Sequence, residues 1–470
     1  MPLWSGPWNS ISHSWEEFPG NYTSRFVVGF ACDMIAVFHC MLYVANTLAA
    51  RTPDTSNHKY CCQCYTNEVL LGIGLFACFC LTWVGAICDA ESDPQCMGNN
   101  TIHSTCAVLF FALTDVICGV MACGRSSARR SPRSRYTLAV VSLGLALTTS
   151  VRACRLAYEA GATDHPHFQH GDNATIIAEV TEVALFIVFL NTVASEWLQG
   201  LNWAAATDTA DSGTGQASKL VLSARKLAYL ASGLVFFTVL SAYVFALIEG
   251  SVPSPSEGLP ELGSLFTSKP GNWFGRWGFV QASSVLLWVA VFAQTAAAGG
   301  SAWANTDKAL FMVQVVAALA LAGMGIVNEF EDASAHRTCT NIFFASSDVA
   351  AIALVVLQSQ RAAADSNSLV GPDRAAGAAV AAVTAAVSTL RFSSLLGLSS
   401  LTTTAMEWVN LLALIAFWSL NTMQRPSTSS MGLVILVNAE TSAAATPKEL
   451  PDPAMDQAVA VAGHQGINLL

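Results

Sequence analysis

Charge is the scarcest property of this 470-residue sequence: only 11% of its positions are Asp, Glu, Lys or Arg. A soluble globular domain carries roughly 25%, so this chain has too little charge to cover a water-facing surface. Basic residues are scarcer still, 22 against 32 acidic ones for a formal net charge of −10. Such a balance excludes a phosphate-backbone grip and, with it, a nucleic-acid partner. Cysteine is nearly missing from the second half, where Cys339 stands alone. Catalytic signatures are missing as well. The sequence holds no phosphate-cradling Gly loop followed by Lys, no HExxH zinc pair and no GxSxG elbow, so no cofactor, metal or standard enzyme chemistry is assigned. Residues 1–20 are polar, aromatic and acidic, with Glu16 and Glu17 before the first apolar run. They do not read as a cleavable signal peptide.

What the sequence has in abundance is apolar residues, 53% of the total, grouped in blocks of about 20. A helix of that length crosses a hydrocarbon core of about 30 Å. The expected fold is therefore an all-α polytopic membrane protein of about eleven spans. Five lie in the first half, at 26–49, 68–88, 104–123, 136–158 and 176–198. Six follow, at 227–248, 277–299, 309–328, 341–357, 375–395 and 401–420, with the Ala-rich 375–395 the weakest. Around them stand a segment 1–25, a linker 199–226 and a tail 423–470, rich in Ser, Thr, Ala and Pro and expected to be mostly disordered.

Basic residues collect in alternate loops: Arg51 and Lys59; then Arg125, Arg129, Arg130, Arg133 and Arg135; then Lys219, Arg225 and Lys226. The positive-inside rule makes those loops cytosolic. The glycosylation acceptors Asn21, Asn99 and Asn173 all fall in the opposite loops, as a lumenal side requires. The N-terminus is then lumenal and the C-terminus cytosolic. Cys88 and Cys96 share one lumenal loop and are candidates for a short disulfide in an oxidising compartment. Cys61, Cys62 and Cys64, in a cytosolic loop, suit S-palmitoylation better than zinc, which would need His58 as fourth ligand. The cysteines within spans read as small hydrophobes.

The two halves also resemble each other. His103-Ser-Thr-Cys-Ala-Val-Leu-Phe-Phe-Ala-Leu-Thr-Asp115-Val116 aligns with His336-Arg-Thr-Cys-Thr-Asn-Ile-Phe-Phe-Ala-Ser-Ser-Asp348-Val349 at eight identities in 14 positions. Pro19-Gly20-Asn21-Tyr22 with Arg25-Phe26 matches Pro270-Gly271-Asn272-Trp273 with Arg276-Trp277, and Glu182 corresponds to Glu407. Two parallel copies are expected, the first lacking an opening span. A carboxylate inside a span costs about 2.5–3.5 kcal/mol, so Asp33, Asp115 and Asp348 require partners or water. Asp115 and Asp348 are expected to hydrogen-bond between helices. His103, Arg155 and Glu182 in one copy, and His336, Arg391 and Glu407 in the other, form candidate polar clusters at the lumenal rim. An Arg beside a His suits a phosphate. The competing reading is structural: Arg155 pairs with Glu182, and Arg391 with Glu407, to fix helix packing.

The order of these features resembles the Frag/DRAM/Sfk family: a Pro-Gly-Asn-aromatic start, an acidic loop, a His opening a Phe-Phe span, Arg155 followed by Glu159-Ala160-Gly161, then Glu182. The resemblance covers 19–198 and 225–422. It departs from the family pattern in the tandem arrangement, the missing first span and the absence of Glu-Ala-Gly after Arg391. It implies six spans per unit and a role like that of the GPI-anchor lipid remodelling factors in the Golgi or endoplasmic reticulum, with membrane lipid, including the GPI-anchor lipid, as partner. The alternatives are a non-enzymatic scaffold related to the autophagy modulators of the family, acting through a cytosolic adaptor on the tail, and, last, a transporter.

Overall fold

The computed structural model describes residues 20–50, 57–87, 99–123, 132–159, 173–197, 201–205, 219–254, 258–297, 304–364, 379–380, 382–383, 386, 400–421 and 432–437. Among them are ten long helices: α1 Gly20–Ala50, α2 Asn57–Ala86, α3 Asn100–Cys123, α4 Pro132–Glu159, α5 Asn173–Trp197, α6 Ala224–Ile248, α7 Gly271–Ala297, α8 Ala304–Ile326, α9 Ala333–Ala364 and α10 Ser400–Asn421. Eight are long and apolar enough to cross a membrane. The other two, α7 with 27 residues and α10 with 22, exceed 30 Å at about 1.5 Å per residue. The expected span 375–395 falls almost wholly outside the described residues. Cys88 and Cys96 lie outside them too.

Apolar side chains point outward as well as inward. Leu143 and Leu147, one turn apart on α4, are 64% and 63% exposed, and Ile177 on α5 is 65% exposed. Water would not tolerate such faces repeated over helix after helix, whereas lipid tails cover them at no cost. Inside, each half has its own core. The first gathers Phe110, Phe111, Met121, Leu138, Leu145 and Phe189; the second gathers Val235, Leu265, Phe266, Phe343, Phe344 and Leu414. Both Phe-Phe pairs are buried, with ring centroids 4.9 Å apart in α3 and 5.2 Å apart in α9. Spanning cysteines such as Cys32, Cys78, Cys80 and Cys118 are buried as thiols in this packing.

The halves meet where α7 packs against α1 and α2. Gln281 Nε2 donates to the Gly29 carbonyl at 3.3 Å, and Trp277 Nε1 donates to Thr82 Oγ1 at 2.9 Å. Trp277 stacks on Trp83 at 6.1 Å. Asp33, on α1, faces Ser284 of α7, so this membrane-level carboxylate sits in the seam between the halves. Asp115 accepts a short hydrogen bond from Ser142 Oγ of α4, the interhelical role expected of it, and Asp348 is 5% exposed. Elsewhere α6 and α7 approach so closely that a Cβ built on Gly278 would lie 1.6 Å from Thr238 Oγ1. Gly278→Ala is therefore expected to cost at least the about 1–3 kcal/mol of an overpacked core, read as a lower melting temperature in detergent.

One region differs from the all-α expectation. Leu201–Ala205 (β1), Lys219–Ser223 (β2) and Gly432–Val437 (β3) form a three-stranded sheet in the order β1-β3-β2, with both pairs antiparallel. The linker and part of the tail thus hold each other. The apolar, β-branched run Gly-Leu-Val-Ile-Leu-Val has strand propensity that is realised only with a partner on each side. Cys61, Cys62 and Cys64 lie within the first turns of α2 rather than in a loop.

Candidate functional site

At one end of the bundle begin α1, α3, α5, α7, α9 and α10, while α2, α4, α6 and α8 finish there. Asn21, Asn99 and Asn173 all sit at that end, in the first turn of α1, just before α3 and at the start of α5. Two of these helix starts are built alike. Asn99 Oδ1 accepts from the Ile102 amide at 2.9 Å and caps α3; Asp332 Oδ1 accepts from the Ala335 amide at 2.9 Å and caps α9. The next residue in each case is the histidine. His103 Nδ1 is 2.6 Å from the Ile87 carbonyl just past α2, and His336 Nδ1 is 2.7 Å from the Val327 carbonyl just past α8. A carbonyl can only accept, so each Nδ1 carries the proton. Both histidines are buried, at 3% and 6% exposure.

The matched arginines of α1 and α7 converge on a single acid. Arg25 reaches Glu331 with both guanidinium nitrogens, Nη1 to Oε2 and Nη2 to Oε1, each at 2.9 Å. Its Nη1 also donates to the Ile326 carbonyl at 2.6 Å. Arg276 Nη2 donates to Glu331 Oε1 at 2.5 Å. The three side chains are 2%, 1% and 3% exposed for Arg25, Arg276 and Glu331. Asn328 sets the acid in place, its Oδ1 accepting from the Glu331 amide at 2.7 Å. Sequence reasoning found the two arginines and missed their common partner.

In the first half the ion pair is not the expected one. Arg152, not Arg155, pairs with Glu182, Nη1 to Oε2 at 2.8 Å, and Thr149 Oγ1 adds a contact at 3.4 Å. Glu182 is wholly buried. Arg155 lies one turn further along α4 and is half-buried. The bonds of His103 run to Ile87 and those of Glu182 to Arg152 and Thr149, so these described contacts do not join the expected trio into one cluster.

In the second half His336 and Glu407 do come together. They line a cavity of about 290 Å³ with Glu261, Glu329, Arg337, Thr340, Asn341 and Thr404 among its polar residues. Phe266, Phe279, Leu321, Phe343, Phe344 and Leu411 supply apolar walls. A 3-10 turn, Gly263–Phe266, closes one side. The turn is held to α10 at two places: the Leu262 amide donates to Glu407 Oε2 at 3.4 Å, and Trp408 Nε1 donates to the Pro260 carbonyl at 2.8 Å. Gly263 leaves room for Glu329, since a Cβ there would lie 2.5 Å from Glu329 Oε2. Arg337 stands at the mouth, 73% exposed and 3.3 Å from Glu329 Oε1. Arg391 lies outside the described residues. Sequence reasoning missed Glu261, Glu329 and Arg337; the acidic run Asn328-Glu-Phe-Glu-Asp332 beside His336 was the available signal.

No curated protein and no solved structure matches the chain. One family does: residues 224–422 match the Frag1/DRAM/Sfk1/Cwh43P N-terminal domain, a stretch that opens on the first residue of α6 and closes one residue beyond α10. The second half of this polytopic membrane protein, with the cavity in it, is thus the part similar to the Frag1/DRAM/Sfk1/Cwh43P N-terminal domain.

Proposed function

We propose that this protein handles a membrane lipid, in the manner of the GPI-anchor remodelling factors its sequence resembles, and that the cavity of the second half receives the headgroup. The observation that carries this reading is the cavity's two-sided chemistry. Carboxylate, imidazole and hydroxyl groups of Glu407, His336 and Thr340 meet phenyl and leucine walls in one space, which is the division of polarity an amphiphile has. The alternating basic loops and the three acceptors Asn21, Asn99 and Asn173 support a lumenal position for that end, in a secretory or endolysosomal membrane. The matching caps, histidines and Phe-Phe pairs of α3 and α9 support descent of both halves from one unit, 26–198 and 227–422.

The test is complementation of a knockout, read by lipidomics and by the lipid composition of GPI-anchored proteins. Wild type is expected to restore the profile. Thr340→Trp, which fills the cavity, is expected to fail at equal expression. Equal restoration by both would reject the cavity as the working site.

One observation favours a second reading, a scaffold or trafficking modulator. Strand β3 of the tail is gripped between two linker strands, so the end opposite the cavity is organised as a surface for an adaptor. Deleting residues 425–470 separates the readings: loss of function favours recruitment, and retention favours work within the membrane.

A further inference from the structure

Across the seam, α1 and α7 meet through matching residues. In the alignment that pairs Arg25 with Arg276, Gly29 corresponds to Val280 and Asp33 to Ser284. A Cβ on Gly29 would run into Val280, Asp33 faces Ser284, and both arginines hold Glu331. The flanks match as well. Gly85, the last residue but one of α2, lies against Val28, and Gly325, the last but one of α8, lies against the corresponding Phe279; an added Cβ would be 3.0 Å from its neighbour in both cases. These contacts relate the two helices and their flanks by a twofold axis running between α1 and α7.

On the third side the two helices differ. Gly278 of α7 meets Thr238 of α6, Ala282 shares a core with Val235 and Val239 of α6, and Val285 is only 7% exposed. The corresponding residues of α1 are Val27, Ala31 and Met34. Val27 is 54% exposed, Met34 45%, and Ala31 is half-buried. Among the described residues no helix covers that stretch, which ends at Phe38, where the ring meets Phe189 of α5 at 6.2 Å. The twofold relation identifies the uncovered stretch as the place that α6 takes on α7.

We propose that this face of α1 receives a transmembrane helix of a partner membrane protein. The partner's chemistry follows from what α6 offers α7. Its inner face is small: Ala231, Thr238 and Ala242 are wholly buried, and Thr238 enters the hollow at Gly278. On α1 that hollow is filled by Val27, so knob and hollow change sides. The partner brings a glycine to Val27, within a row of small residues spaced by four. Two turns, from Val27 to Met34, are enough for such a crossing, because a small-xxx-small motif makes its contact over about that length. Lipid tails are as apolar as any helix, so the association rests on close packing and not on removal from water. The face lies on α1, apart from the cavity, and stands independently of the lipid reading.

The full-length protein, carrying a donor dye, is reconstituted in bilayers with an acceptor-labelled synthetic helix of the sequence Ala224–Ile248 bearing Thr238→Gly, and energy transfer is followed as the peptide is titrated. Saturable transfer is expected. Val27→Trp in the full-length protein, which blocks the face, is expected to weaken the association about tenfold. Leu143→Trp, on the outward face of α4, is expected to leave it unchanged. The peptide that keeps Thr238 is expected to bind more weakly than the glycine form. Val27 is exposed, so its variant is expected to melt with the wild type, and Met34→Trp repeats the test. Transfer no greater than that to a scrambled helix of the same composition assigns the face to lipid and overturns the proposal. Transfer indifferent to both Val27→Trp and Met34→Trp overturns it too. Self-association of the full chain without peptide, lost in Val27→Trp, would give the face to a second copy and overturn the partner-helix assignment.

Discussion

Glu331→Gln is expected to destabilise the folded protein by about 3–5 kcal/mol, the cost of removing one partner from a buried ion pair. Arg25 and Arg276 are almost fully buried and share that single carboxylate. Neutralising it removes the negative charge that the two guanidinium groups share. Because Arg25 belongs to α1 and Arg276 to α7, the loss falls on the seam between the halves rather than inside either core. The expected result is an earlier melting transition in detergent and faster proteolysis between the halves. Arg25→Leu in the Glu331→Gln background removes one of the two neighbouring buried cations and is expected to recover part of the loss. A melting temperature within a degree of wild type for Glu331→Gln would mean that the triad does not hold the halves together.

Arg152→Ala and Arg155→Ala are expected to behave differently although one turn separates them. Arg152 neutralises Glu182, which has no exposure at all; without it a carboxylate is stranded in the helix bundle, again at about 3–5 kcal/mol. Arg155 is only half-buried, and its truncation is expected to stay below about 1 kcal/mol. Expression and thermal stability of the two variants, measured side by side, check this. The reverse order would restore the pairing that the sequence suggested. Glu182→Gln should be tolerated better in an Arg152→Leu background than alone, since pair and isostere differ little once both charges are gone.

That one-turn error shows where sequence reasoning stopped. Residues three apart on a helix share a face, so Arg152 and Arg155 are equally placed on α4 until packing chooses. The choice is made by depth: Thr149 and Arg152 lie deeper in the bundle and reach Glu182 together. The spans themselves were legible because hydropathy needs no tertiary information. The histidines, the Phe-Phe pairs and the two seam arginines were legible because each occurs twice. Glu331 was not, since one acid serving two related arginines has no copy to betray it. Glu329 and Glu261 reach the cavity from connecting segments, whose course over the helix ends is set by tertiary packing. The sheet was invisible for another reason: Gly432–Val437 meets its partners more than 200 residues away in the chain, and a six-residue apolar run says nothing about a distant partner.

The same connecting segment, 327–332, carries both structural claims. Glu331 turns to the seam and Glu329 to the cavity, so the joint between the halves and the wall of the proposed site are one piece of chain. Slackening the seam should therefore reach the cavity, with Glu331→Gln weakening lipid retention as well as stability.

The most direct measurement is photo-crosslinking of the full-length protein in bilayers with a bifunctional lipid whose reactive group sits beside the headgroup, followed by mapping of the adducts. Adducts are predicted on peptides carrying Leu262, Thr340 and Thr404, and they should vanish in Thr340→Trp. Adducts spread over outward-facing residues such as Leu143 and Ile177, unchanged by that substitution, would contradict the account.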